Sequence, residues 1–202
     1  MRLHRILSRT YAEGPGCRFC IWVQGCAHHC PGCFATELWS YNGGRAYAVE
    51  QVIAEFNAVK DTVCGITFLG GEPFDQAEDL AVVAKAVKEL NKNVITFTGY
   101  TFEELNCAGN PSYQALLQTT DVLIDGRFQE QNLETKRPLV GSANQRFLFL
   151  TDAIPKQEIE KYMNRFELRT DKNGEIIFNG MGNIHKLKKF IRNLEGTKNE
   201  KI

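Results

Sequence analysis

The chain has 202 residues, 43% hydrophobic and 24% charged, with 24 Lys and Arg set against 24 Asp and Glu. That suits one soluble globular domain with a sizeable core, and the even charge speaks against a nucleic-acid or membrane-surface binder. No run of about 18 apolar residues occurs and residues 1–15 lack the apolar centre of a signal peptide, so neither a membrane span nor export is expected. The seven cysteines are an odd number, three of them bunched, which reads as metal binding in a reducing cytoplasm and not as a disulfide framework.

Residues 1–16 are polar and close on the turn Gly14-Pro15-Gly16. Arg18 to Gln24 reads as the first strand. It delivers Cys26-Ala27-His28-His29-Cys30-Pro31-Gly32-Cys33, three thiols within eight residues. Pro31 and Gly32 argue against a helix, so the stretch is expected to be a loop that curls round and points three sulfurs inward. Three thiolates with no obvious fourth suit an iron–sulfur cube with one iron left open, whereas a structural zinc site closes with four ligands. A zinc knuckle recruiting His28 or His29 remains the alternative.

Val49, Val52, Ile53, Phe56 and Val59 recur at helical spacing. Thr62 to Leu69 is an apolar run of the kind buried on both faces of a parallel sheet, stopped by Gly70-Gly71-Glu72-Pro73. Asp75 with Glu78 predicts a capping-box helix start, followed by Leu80, Val83, Ala84, Val87 and Leu90 on one side. Val94 to Thr98 is the next strand, closed by Gly99, and Thr101 with Glu104 is a second capping box. Pro111 to Gln118 is expected to be helical, Asp121 to Asp125 to be a fourth strand and Arg146 to Thr151 a fifth. Between those two, residues 129–145 are polar and aperiodic, long enough for a functional loop. Pro155 to Phe166 predicts a helix, and Asp171 to Gly174 a hairpin-like turn before Glu175–Phe178. A basic amphipathic helix is expected over 184–194, with a solvated Lys186–Arg192 face, His185 on its surface and a frayed tail from Gly196.

Strands alternating with helices predict a parallel sheet with right-handed crossovers. The cysteine loop, the Gly-Gly-Glu-Pro turn, the Thr98-Gly99-Tyr100 turn and Asp125 all follow strand C-terminal ends, the edge where such folds bind ligands.

The spacing C-x3-C-x2-C after a short apolar strand resembles the radical S-adenosylmethionine (radical SAM) enzymes. Gly14-Pro15-Gly16-x-Arg18, Val23-Gln24-Gly25-Cys26 and Cys30-Pro31-Gly32-Cys33, then Gly70–Pro73, Thr98–Leu105, Asp125–Phe128 and Gly141–Arg146, are similar in order to the activating components of anaerobic ribonucleotide reductase. The match runs over about residues 12–151. The resemblance implies an α/β fold, an incomplete parallel β/α barrel, with a radical SAM core over 1–151 and an extension, 152–202, packed on it within a single domain. It implies that Cys26, Cys30 and Cys33 hold a 4Fe-4S cluster and are the catalytic and metal ligands. It places Gly32, Phe34, Gly70, Gly71, Glu72, Pro73, Thr98, Gly99 and Asp125 around S-adenosylmethionine (SAM), with Glu72 accepting from its amino group. The implied activity is reductive cleavage of SAM to a 5′-deoxyadenosyl radical that makes a glycyl radical on a partner, anaerobic ribonucleotide reductase. A flavodoxin or ferredoxin-type protein would supply the electron.

Three features depart from the resemblance. Gly32 stands where many radical SAM enzymes have an aromatic residue, and Phe34 follows instead. Cys17 and Cys20 are not part of the pattern, and Cys20 lies roughly 20 Å from Cys26 along an extended strand. Residues 152–202 run past the compact core. A radical SAM enzyme acting on another peptide or small molecule, and a non-enzymatic iron–sulfur or zinc protein, stay open. Cys64 and Cys107 read as small buried or half-buried hydrophobes. His28 and His29 read as loop residues shaping the cluster pocket. Asp125 is expected to meet SAM hydroxyls, orient Arg127 or cap a helix, and Arg127 and Arg146 to contact a partner or pair with acidic residues.

Overall fold

The computed structural model describes residues 1–170, 174 and 176–181. In chain order these form β1 (Arg2–Thr10), β2 (Arg18–Val23), β3 (Arg45–Ala46), α1 (Val49–Asn57), β4 (Gly65–Gly70), α2 (Ala77–Glu89) and β5 (Asn93–Phe97). Then come α3 (Phe102–Cys107), α4 (Pro111–Thr119), β6 (Val122–Asp125), β7 (Arg146–Phe149), α5 (Lys156–Lys161), β8 (Phe166–Thr170) and β9 (Ile176–Gly180).

Seven strands make one open mixed sheet in the order β3-β1-β2-β4-β5-β6-β7, and β8 and β9 form a separate hairpin. The inner strands β2, β4, β5 and β6 are parallel. Their apolar runs are explained by cover on both faces. Phe19, Ile21, Val23, Ile66 and Phe68 pack on one side with Val52 and Phe56 of α1 and Leu80, Val83 and Val87 of α2. On the other side Cys20, Trp22, Leu69 and Leu38 form a small cluster. Beside it Ile95, Val122 and Ile124 are covered by Leu139, Val140, Ile154, Ile159 and Tyr162.

The sheet departs from the all-parallel expectation at both ends. The polar residues 2–10 are a strand, β1, antiparallel to both β2 and β3. No alternating pattern announced it, because most of β1 is only partly covered and its strand conformation comes from pairing on both sides. The fifth expected strand, β7, runs antiparallel to β6, with Asp125 opposite Arg146. No crossover helix separates the two, so the chain returns through a loop and reverses.

Smaller expectations also change. Asp75 does not cap a helix. Glu72 does, accepting from Phe74 N–H at 2.9 Å, while Asp75 accepts from the Tyr41 and Tyr100 hydroxyls. The Thr101 box forms as read, with Glu104 N–H donating to Thr101 Oγ1 at 3.2 Å and Thr101 N–H to Glu104 Oε2 at 2.7 Å. The helix expected to Phe166 stops at Lys161, where Tyr162 turns to extended backbone and its hydroxyl donates to the Tyr11 carbonyl at 2.8 Å. Cys64 and Cys107 are exposed, not buried, since they lie just before β4 and at the end of α3. The expected helix 184–194, His185 and the tail from Gly196 lie outside the described residues, as do 171–173 and 175 of the expected turn, although β8 and β9 pair antiparallel on either side of it.

The hairpin is bonded to the last residue of β1 and to the segment after it. Glu167 accepts from Thr10 Oγ1 at 2.7 Å and Tyr11 N–H at 2.6 Å, and Asn179 Nδ2 donates to Thr10 Oγ1 at 3.0 Å and Glu13 Oε1 at 3.2 Å. Glu13 is buried there, and burial pushes its carboxyl up to about 7 against the opposing bond from Asn179. In the unfolded chain it ionises near 4.5, so folding stability falls as pH rises from the unfolded value to the folded one. Glu13→Gln cannot ionise. Its advantage over the parent should be absent below about pH 4.5 and reach on the order of 3 kcal/mol above pH 7. Urea unfolding at both pH values checks this. An advantage independent of pH would mean that Glu13 is charged in the fold.

Candidate cluster and cofactor site

Past Val23 the chain stays anchored before it enters the cysteine loop. Gly25 N–H donates to Leu38 O at 2.8 Å and Cys26 N–H to Trp39 O at 3.1 Å. Gln24 Nε2 donates to the Glu37 and Ser40 carbonyls at 3.1 and 2.8 Å. The far end closes in a tight turn, Cys33 N–H to Cys30 O at 3.0 Å, with Gly32 at φ 72°. A Cβ on Gly32 would stand 2.6 Å from the Glu130 carboxyl carbon, so that position suits only glycine without a shift of Glu130.

Cys26, Cys30 and Cys33 are free, partly buried thiols. Burial pushes the Cys26 thiol up to about 11, opposed by backbone N–H groups of His28 and His29 directed at its sulfur. Burial also raises Cys30, opposed by the N–H of Phe128. Such N–H groups are the donors that tune a bound cluster's potential. Among the described residues no group of three or more His, Cys, Asp or Glu side chains converges as a single ion requires. Three free thiols on one loop are the donor type an iron–sulfur cube takes, so this set fits a 4Fe-4S cluster. The two imidazoles are engaged elsewhere: His29 stacks on Trp39 at 4.7 Å, and both ring nitrogens of His28 are bonded.

The Gly-Gly-Glu-Pro turn is tied to that loop by backbone. Gly71 N–H donates to Val23 O and Glu72 N–H to Gly25 O, both at 2.8 Å. A Cβ on Gly71 would lie 2.1 Å from Gly25 O, which explains the glycine. Gly70, at φ 108°, ends β4, and Pro73 is buried at the first position of the following turn.

Glu72 is almost wholly buried and gathers four donors. Oε1 accepts from Thr98 Oγ1 at 2.8 Å and Phe74 N–H at 2.9 Å. Oε2 accepts from Gly99 N–H at 2.8 Å and His28 Nε2 at 3.0 Å. His28 Nδ1 accepts from Arg127 Nε at 3.1 Å. Arginine cannot accept, so Nδ1 carries the lone pair and Nε2 carries the proton given to Glu72. Arg127 also reaches Glu104 at 3.5 Å.

Asp125 is fully buried and its oxygens are taken. Arg146 Nε and Nη2 donate to it at 2.9 and 2.5 Å, and Phe102 N–H at 2.8 Å, so it caps α3 and is paired with Arg146, not Arg127. Arg146 also meets Glu103 at 2.7 Å. A cavity of about 390 Å³ opens here, walled by Gly99, Gly126, Arg127, Asn144 and Arg146, within the size range of small-molecule sites. Phe34 is exposed and edge-on to Phe178 at 6.3 Å.

Of the residues singled out in the sequence, the fold brings Gly70, Gly71, Glu72, Pro73, Thr98 and Gly99 directly around the root of the cysteine loop. It sets Phe34 on the outer side and engages Asp125 internally. Cys20 is fully buried among Trp22, Leu38 and Leu69, away from any ligand role. Tyr41 and Glu130 carry no local pattern and join the site through packing on Gly25 and Gly32, while Tyr100, inside the Thr98–Leu105 motif, packs on His28 at 4.4 Å; the Tyr41 and Tyr100 hydroxyls also donate to Asp75.

Residues 12–148 match the 4Fe-4S single cluster domain family, which gives the class of the chain. The chain is 32% identical over 163 residues to the anaerobic ribonucleoside-triphosphate reductase-activating protein of Enterobacteria phage T4, covering 78% of this chain and 100% of that one. It is 33% identical to the protein of the same name from Vibrio cholerae serotype O1 and 29% to that of Escherichia coli K12, each over 153 residues, 72% of this chain and 96% of the relative. The chain belongs to the family of anaerobic ribonucleoside-triphosphate reductase-activating proteins. Elements α5, β8 and β9 lie beyond the 12–148 match.

Proposed function

We propose that the chain is a radical SAM activase whose core, the sheet with its open side, is the partial β/α barrel of that class. Its substrate is a backbone glycine of an anaerobic ribonucleotide reductase. The observation that carries this reading is the welding of the cysteine loop to the Gly-Gly-Glu-Pro turn at the C-terminal ends of β2 and β4, by Gly71 N–H to Val23 O and Glu72 N–H to Gly25 O. It joins a cluster-holding loop to an acidic, glycine-lined cofactor edge.

In this reading Cys26, Cys30 and Cys33 would hold the cluster, with SAM bound beside it. Reductive cleavage of SAM to methionine and a 5′-deoxyadenosyl radical is the chemistry the bound cluster supplies, with one electron from a flavodoxin or ferredoxin-type donor. Gly70 and Gly71 let the turn close on the backbone of β2 and Gly25, Gly99 leaves its face free of a Cβ, Glu72 receives the ligand's ammonium, and Thr98 fixes the Glu72 carboxylate. The buried strand ends keep water from the radical. The glycine Cα gives its hydrogen atom to the 5′ carbon, leaving 5′-deoxyadenosine and a glycyl radical. Among the described residues no helix is long and apolar enough to cross a membrane, and we place the protein in a reducing cytoplasm.

The test is electron paramagnetic resonance of the reduced, cluster-loaded protein mixed anaerobically with SAM and the reductase of the same source. A glycyl doublet on the reductase is expected. SAM cleavage with no doublet would assign the radical to another substrate.

A further inference from the structure

A carboxylate offers about four lone-pair directions, and Glu72 uses four. Phe74 N–H and Gly99 N–H are fixed by turns at strand ends. Thr98 Oγ1 is buried and also accepts from Tyr100 N–H at 3.1 Å. The remaining donor, His28 Nε2 at 3.0 Å, differs in kind. It is a side chain on the cysteine loop, reaching a residue 44 positions away, and not a backbone or strand-end group.

The imidazole fills a defined slot. It lies flat on Gly99, where a Cβ would come 2.3 Å from Cδ2, and edge-on to Tyr100 at 4.4 Å. Arg127 closes the far side through Nδ1 at 3.1 Å, with the anionic Glu72 facing it. The Glu72 carboxylate at one end of the slot accepts from a primary ammonium as it does from an imidazole N–H.

We propose that His28 is a displaceable occupant of the ammonium subsite: the amino group of SAM reaches Glu72 Oε2 by expelling the His28 imidazole. This rests on SAM being the ligand, as proposed above. The exchange replaces a neutral donor by a charged one, which bonds a carboxylate more strongly. Arg127 retains Glu104 as its partner when the imidazole leaves. His28 is thus a positioning residue that orders the loop and competes with the ligand, not a group that binds it.

The test is equilibrium dialysis of labelled SAM against anaerobic, cluster-loaded parent, His28→Ala and His28→Gln proteins, with iron per chain measured on each. His28→Ala should bind SAM about fivefold more tightly, the equivalent of about 1 kcal/mol for a hydrogen bond no longer broken. His28→Gln, whose amide can still donate to Glu72, should return towards the parent affinity. Equal or weaker binding by His28→Ala, with full iron, overturns displacement while leaving the SAM reading intact. A His28→Ala protein that takes up no iron overturns it too, assigning the imidazole to support of the cluster loop. A parent that holds four irons and binds no SAM defeats the proposed function itself, and this proposal with it.

Discussion

Cys26→Ala, Cys30→Ala and Cys33→Ala should each abolish the iron–sulfur absorption of the reconstituted protein, while Cys64→Ala and Cys107→Ala leave it unchanged. Only the first three thiols share a loop, and that loop is anchored at Gly25, Cys26 and Cys33 by backbone hydrogen bonds that position the sulfurs before metal arrives. Cys64 and Cys107 are exposed at unrelated points, Cys17 is buried just before β2, and Cys20 is buried on it. A cube held by two thiolates has no third anchor and its open iron no defined direction, so the expected loss is of the whole cluster, not a fraction. Metal uptake requires thiolates. Burial pushes Cys26 up to about 11, so uptake releases protons and should be faster at pH 9 than at pH 7. Iron and acid-labile sulfide per chain, read with the absorption spectrum, check both statements. Tight binding of a single zinc, with no iron taken up anaerobically, would sink the cluster assignment.

Glu72→Ala carries the second large effect, and it acts on stability as well as on ligand. Removing the carboxylate leaves Phe74 N–H, Gly99 N–H and Thr98 Oγ1 facing a buried void and frees His28 from its slot. Each buried group left unpaired costs about 1–3 kcal/mol, so a loss of about 3–5 kcal/mol in unfolding free energy is expected once partial relaxation is allowed. SAM affinity should fall at least tenfold, the loss of one charge-assisted hydrogen bond of about 1.5–3 kcal/mol. Glu72→Gln keeps the shape and one acceptor, so it should recover much of the stability but little of the affinity. Denaturant melts of the metal-free chain separate the first effect from the second, which is read by dialysis on the loaded protein. A Glu72→Ala protein as stable as the parent would mean that the four donors find other partners, and one that binds SAM like the parent would make Glu72 purely structural.

The sequence by itself determined the parts of this protein that depend on neighbours along the chain. The spacing of Cys26, Cys30 and Cys33 with Pro31 and Gly32 defines a chelating loop wherever it folds. The apolar runs at Phe19–Val23 and Ile66–Leu69, short and bounded by glycines, read as strands covered on both faces, and the Thr101–Glu104 box starts a helix with its own two side chains. The tertiary structure alone decided which distant groups meet. The direction of β7 follows from a loop without a crossover helix, and β1 from pairing partners on both sides, neither of which leaves a periodic trace. Asp125 took Arg146 and not Arg127 because antiparallel register sets residue 125 opposite residue 146. Arg127, left free of Asp125, reaches His28, 99 positions earlier, and through it Glu72. A carboxylate's four partners are chosen by where strand ends converge in space, and that convergence depends on the packing of the whole sheet, not on any stretch a local pattern can span.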